Sequence, residues 1–159
     1  MTIDFSGLET IQHCAIIAVA RQGQIQAGEF CRMSDRLSIL NIGGHPKDVI
    51  LYAGGTMAMH VLLGDRITAL APYNGMRTHL KAIDAFAETG VEPDWDAHIA
   101  DRKRELVEAA KELGVTDVRF LGHDDDIAIP DKQIIEEIAD VIGEVRPDII
   151  VTHWPYDSV

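Results

Sequence analysis

The sequence predicts an α/β fold, a Rossmann-like three-layer domain built on a mainly parallel sheet. Three observations lead there. From Asp35 onward, short apolar runs alternate with longer segments of helical periodicity. Strands alternating with helices imply parallel pairing and right-handed crossovers. Three of the four strand candidates open into loops rich in histidine and aspartate, and in such sheets ligands bind outside the carboxyl ends of the strands. A length of 159 residues suits one domain with a sizeable core.

Residues 1–34 are read as an N-terminal arm, part of it a helix or an edge strand, because a short apolar run is mixed there with Gln22, Gly23, Gln24, Gln26 and Gly28. The α/β domain is placed over 35–159. Its first strand is 37–42 (LSILNI). A helix over 48–64 closes on a glycine stop. Gly54 and Gly55 would weaken an exposed helix, so they are read as close packing of that helix on the sheet. The second strand is 66–71, broken after it by Pro72, Asn74 and Gly75. A helix over 77–90 ends at Gly90. The helix over 98–114 carries Ile99, Leu106, Ala109, Ala110 and Leu113 at helical spacing. The third strand is 116–122, followed by a polar loop over 123–131. The last helix is 132–145 and the last strand 148–153.

Composition narrows the partners. The formal net charge is −12, which argues against nucleic acid and against an anionic membrane surface. The run 14–20 is far shorter than the roughly 20 residues of a membrane span. No basic stretch precedes it as in a secretory signal. Two cysteines, Cys14 and Cys31, make no disulfide framework and point to a reducing, cytoplasmic setting. A small-molecule substrate is expected, and a homo-oligomer is left open.

The chemistry concentrates after the first strand, in 43-GGHPKD-48. A neutral imidazole and a carboxylate are ordinary zinc ligands. A separation of three residues brings His45 and Asp48 together if the chain turns into a helix at once. Pro46 suits that turn, because it fixes its own φ and needs no hydrogen-bond partner. Gly43 and Gly44 permit close approach of a ligand. Read alone, the pair is a weak signal, and the natural alternative is a loop in which Asp48 caps the helix. His123 with Asp124, Asp125 and Asp126 follows the third strand, and His153 follows the fourth.

Taken in order, the motifs resemble the LmbE/PIG-L family of zinc-dependent de-N-acetylases. Its opening motif usually reads Ala-His-Pro-Asp-Asp-Glu; here 44-GHPKDV-49 stands in its place. The segments 102-RKRELVEAAKELGV-115, 120-FLGHDD-125 and 146-RPDIIVTHWPYD-157 follow as in the family. The resemblance covers about residues 36–159 and implies the roles that follow. His45 and Asp48 match two of three zinc ligands, and Arg102 matches a substrate-binding arginine. Asp125 matches an acidic residue near the pocket. Gly44 and His153 border the site. The third Zn2+ ligand belongs to a His-Pro-Asp-His motif expected beyond Val159, with His153 as a stand-in.

Two positions depart from the family. Val49 stands where it has a glutamate, and Lys47 where it has the aspartate that acts as general base. An unperturbed lysine is a cation at neutral pH and cannot accept a proton. Burial or a nearby metal would bring it toward acid–base work. Otherwise it faces solvent or pairs with an acid such as Asp125. The resemblance therefore implies a zinc-dependent hydrolase of an N-acyl amino sugar or related amide, with Lys47 and Asp125 as candidate catalytic groups. Two alternatives stay open: a zinc-dependent hydratase of an unsaturated carboxylate, and a non-catalytic ligand-binding relative.

Overall fold

The computed structural model describes residues 16–17, 36–76, 80–124 and 132–154. Five strands occur among them: β1 (Ile16–Ile17), β2 (Ser38–Ile42), β3 (Arg66–Tyr73), β4 (Asp117–His123) and β5 (Ile149–Thr152). The helices are α1 (Pro46–Leu51), α2 (Gly54–Leu62), α3 (Leu80–Thr89), α4 (Trp95–Glu112) and α5 (Lys132–Val145). The sheet order is β1-β5-β2-β3-β4. β5, β2, β3 and β4 are parallel, and β1 pairs antiparallel with β5 at the edge. Of the two readings of the arm, helix or edge strand, Ile16–Ile17 take the second.

Alternate residues of the central strands face two helical layers, as a sheet buried on both sides requires. Ile39, Ile67, Ala69 and Ala71 pack against Val49, Ala53 and Met57 of the α1–α2 segment and Leu106 and Ala110 of α4. Ala69 and Ala71 have short side chains, which lets the helices approach the sheet closely. Leu40 and Leu70 point the other way and meet Val141, with Ile138 and Ile142 of α5 beside it. The α/β layering matches the predicted class. No helix among the described residues is long and apolar enough to cross a membrane.

Topology places the site. From β2 the chain adds β3 and then β4 on one side, and β5 returns to the other side of β2. The strand order reverses between β2 and β5, and a ligand crevice forms at such a switch point, outside the carboxyl ends.

The predicted helix over 48–64 is two helices. It begins at Pro46, two residues early, and breaks after Leu51. The side chain of Asn41 donates a 2.8 Å hydrogen bond to the carbonyl of Val49. In a continuous helix Ala53 would be the donor to that carbonyl, but Ala53 has φ −125° and ψ 0°. Gly54 is buried, and a Cβ there would touch Ile50 and Leu113. Its close packing is therefore against other helical residues rather than the sheet. A Cβ on Gly55 would meet nothing within 4 Å, so close packing does not explain that glycine.

Other bounds shift for local reasons. The helix predicted over 98–114 starts earlier, at Trp95, because the Asp94 carboxylate caps it by accepting from the Ala97 N–H at 3.0 Å. β3 runs past Pro72 to Tyr73. β4 reaches His123 through a bulge: Ala71 pairs with Phe120 and Tyr73 with His123, so β4 holds one extra residue. Gly122, at φ +83°, supplies the left-handed backbone.

The opposite rim is closed by aspartates. Asp65 accepts from the Leu37 N–H at 2.9 Å and from the His60 ring at 2.7 Å. Asp148 accepts from the Ser38 N–H at 3.0 Å. Asp117, at the start of β4, accepts from the Thr68 hydroxyl and from Arg119, which also reaches Glu144. Burial pushes the Asp117 carboxyl up, but the Arg119 and Thr68 hydrogen bonds outweigh it and hold it below its ordinary range.

Two outcomes follow from this packing. Leu70→Ala, at a fully buried position, should cost about 2–5 kcal/mol in a urea melt, whereas Leu62→Ala, at 88% exposed, should stay within about 0.5 kcal/mol. A depressed carboxylate contributes stability above its unfolded pKa and loses it as pH falls through the folded value. Asp117→Asn should therefore be less stable than the parent at pH near 6, with the difference shrinking below about pH 4. Melts at both pH values check it.

Candidate active site

The site is built where β2 turns into α1. Gly43 donates its N–H to the Leu70 carbonyl at 3.1 Å, which keeps it on the sheet. A Cβ on Gly43 would lie 2.6 Å from the Val49 backbone nitrogen, so only glycine fits this close approach of strand end to helix. The Tyr73 N–H donates to the Gly44 carbonyl at 3.1 Å. The chain then enters α1 with His45 as N-cap residue and Pro46 in the first turn. Asp48 is thus the third helical residue and not the cap. Its carboxylate does reach back, accepting the His45 N–H at 2.9 Å.

This turn brings the predicted pair together. His45 Nδ1 and Asp48 Oδ2 are 3.1 Å apart. Asp48 is buried and His45 half-buried. Burial pushes the Asp48 carboxyl up. The hydrogen bonds from the His45 ring and backbone, with the charges of His45 and His153, outweigh that and hold it below the usual carboxylate range. The result is an ionised carboxylate with an imidazole beside it; a divalent metal would take this carboxylate together with the neutral imidazole, displacing the proton shared between them. Two donors bound at about 2.0–2.2 Å to one tetrahedral zinc stand roughly 3.3 Å apart, so the observed spacing fits two neighbouring ligands.

β5 supplies the third member. His153 Nε2 accepts the Gly44 N–H at 2.9 Å and lies 3.9 Å from Asp48 Oδ2. The Tyr52 ring meets the His153 ring edge-on, with centroids 6.1 Å apart. His153 therefore closes the crevice between β2 and β5 from the far side. Its Nε2 lone pair is engaged by Gly44, and the Gly44 N–H is engaged by His153. Among the described residues no three His, Cys, Asp or Glu side chains form a metal-holding group.

The other candidates divide. Lys47 is exposed and has no ion pair among the described residues. It lines a groove between α1 and α4 together with Arg102. Arg102 Nη2 donates to Glu105 at 2.7 Å. Asp125 lies outside the described residues.

Sequence reasoning passed over two features of the same rim. The Tyr73 ring sits 6.2 Å from the His45 ring; the signal available was an aromatic residue two positions past the predicted second strand. Beyond it, His123 Nε2 and Glu137 Oε2 are 2.6 Å apart. The acid comes from α5, and nothing in local spacing links it to β4.

Comparison with known proteins identifies relatives of the chain. Residues 40–158 match the family described as PIG-L, GlcNAc-PI de-N-acetylase. The "Probable N-acetyl-alpha-D-glucosaminyl L-malate deacetylase 2" of Bacillus cereus is 31% identical over 76% of this chain and 53% of its own length. The chain thus spans about half the length of that relative. Among solved structures, the 4-carboxy-2-hydroxymuconate hydratase GalB of Pseudomonas putida KT2440 is 27% identical, with TM-score 0.60 over 72% of this chain and 45% of that one. The N,N'-diacetylchitobiose deacetylase of Pyrococcus horikoshii, 20% identical with TM-score 0.59 over 72% of this chain and 40% of that one, shares the fold. A family match over residues 40–158, most of the sequence, and a relative 31% identical over 76% of the chain lead to one assignment: the chain belongs to the PIG-L (GlcNAc-PI de-N-acetylase) family.

Proposed function

We propose that this protein is a zinc-dependent hydrolase that removes the acyl group from an N-acyl amino sugar or a related small amide. One observation carries the reading: the His45 and Asp48 donors meet 3.1 Å apart at the switch point of the sheet. The deacetylases among its relatives support the reaction class. His45 Nδ1 and Asp48 Oδ2 would hold the metal, with a third ligand from outside the described residues. A bound zinc supplies a nucleophilic water at neutral pH and polarises the acyl carbonyl.

The chain's own residues do the rest. The His45 N–H fixes Asp48 Oδ2 in place, so the carboxylate is oriented before any ligand arrives. Tyr73 and His153 wall the crevice on its two sides. Arg102 and Lys47 offer cationic groups to the substrate on the other flank of α1. Lys47 is exposed on the far flank of α1, so proton transfer from water falls to Asp125 in this reading. Lys47 serves to bind charge.

A second reading has its own support. Lys47 replaces the family's aspartate base, and one relative of the same fold is a hydratase of a carboxylated substrate. Hydration of an unsaturated carboxylate would use the same metal pair and give the lysine an anionic partner.

Two measurements test these readings. His45→Ala and Asp48→Asn should each lower zinc retained after dialysis at least tenfold, read by elemental analysis; unchanged zinc in both removes the metal site. Asp125→Asn should lower acetate release from N-acetylglucosamine conjugates by about 10²-fold or more, the scale of a lost general base. If acetate release stays flat while hydration of an unsaturated carboxylate is lost, the second reading replaces the first.

A further inference from the structure

We propose that the groove between α1 and α4 is a subsite for an apolar arm of the substrate that bears one negative charge, such as an alkyl carboxylate. The link to catalysis rests on the metal-site reading above. The subsite itself stands on geometry and charge.

The groove has a volume of about 280 Å³. Ile50 and Leu51 of α1 form one wall, and Leu106 and Ala109 of α4 the other. Ala109 is the smallest of these, and its short side chain leaves the space open. Whole small-molecule pockets run to about 300–1,000 Å³, so this one suits an arm of a ligand. Leu51 is 69% exposed, and an apolar occupant would cover it.

The charge comes from the same walls. Lys47 and Arg102 line the groove with one acid, Glu105. Arg102 gives Nη2 to Glu105, while its Nε is buried with no hydrogen-bond partner. A buried donor without an acceptor is costly and asks for one. Lys47 has no ion pair among the described residues. Two cations against one acid leave a single positive charge, in a chain whose net charge is −12. A monoanion with an alkyl portion meets the excess positive charge of Lys47 and Arg102 and fills the apolar walls; an amine of the same length would do only the second.

Position joins the groove to the reaction. Pro46 and Lys47 line it, and both lie between His45 and Asp48. A substrate with its acyl group at the His45–Asp48 pair therefore reaches the groove by passing over the first turn of α1. Lys47 then replaces a carboxylate that would repel such an arm.

Octanoate and octylamine, titrated into the purified protein and followed by calorimetry, test the proposal. Octanoate should bind at least tenfold more tightly than octylamine. Ala109→Leu, which fills the groove, and Lys47→Glu, which inverts its charge, should each weaken octanoate at least tenfold. Leu51→Asp gives the same readout at an exposed position and leaves the core untouched. Octanoate that fails to bind at millimolar concentration, or binds all three variants as it binds the parent, overturns the proposal. Asp48→Asn separates the two readings: it should lose zinc and keep octanoate. A protein that holds zinc yet ignores octanoate keeps the hydrolase and loses the subsite.

Discussion

The contact on which the site depends is the near-touch of Gly43 and the Val49 backbone. With 2.6 Å between a would-be Cβ and a main-chain nitrogen, the strand ends close against the first turn of a helix, with only Gly43, Gly44 and His45 between. That leaves His45 at the cap and Asp48 one turn on, both over the strand end. A longer connection would give each side chain its own freedom, and ordering them would cost conformational entropy at the moment of binding. Here that entropy is lost in folding, and Val49, fully buried, anchors the turn to the core. Its apolar side chain helps to fix the geometry that the site needs.

Charge is distributed with the same economy. A strongly acidic protein places an ionised, half-desolvated aspartate at the sheet rim and surrounds it with ring nitrogens and N–H groups. Lysine and arginine sit one helix face away, in an apolar setting. The two sets do not neutralise each other, because α1 stands between them. Divalent cation and organic anion would therefore each meet groups of opposite sign on opposite flanks of one short helix.

Most of the fold was legible from the sequence, because alternation of apolar runs reports βαβ units directly. The four parallel strands fall within a residue or two of their predicted places, and the His45–Asp48 pair, only suggested by its spacing, was singled out by the family resemblance. What local spacing missed depends on contacts distant in sequence or on a side chain overriding propensity. The helix break at Tyr52–Ala53 needs Asn41, a buried polar residue on a neighbouring strand, to take a carbonyl. The extension of β3 through Pro72 needs the pairing of Tyr73 with His123 across a bulge. The helix was started late, at His98, because Asp94 was not read as its cap. The pairing of His123 with Glu137 joins two elements that only the fold brings together. His153 was expected beside the site; its engagement with the Gly44 amide depends on β5 lying next to β2, a neighbour relation that local sequence does not carry.

The two ends of the sheet are held by different means. At the amino-terminal end, Asp65 and Asp148 clasp the first amides of the central strand, and Asp117 ties two further strands together. At the carboxyl end the residues are spent on ligand-type groups and turns. Stability and chemistry are thus assigned to separate rims. Substitutions in the crevice leave the clasps intact, so a lineage can exchange one reacting residue for another, aspartate for lysine among them, and still inherit a folded scaffold on which a new substrate can be tried.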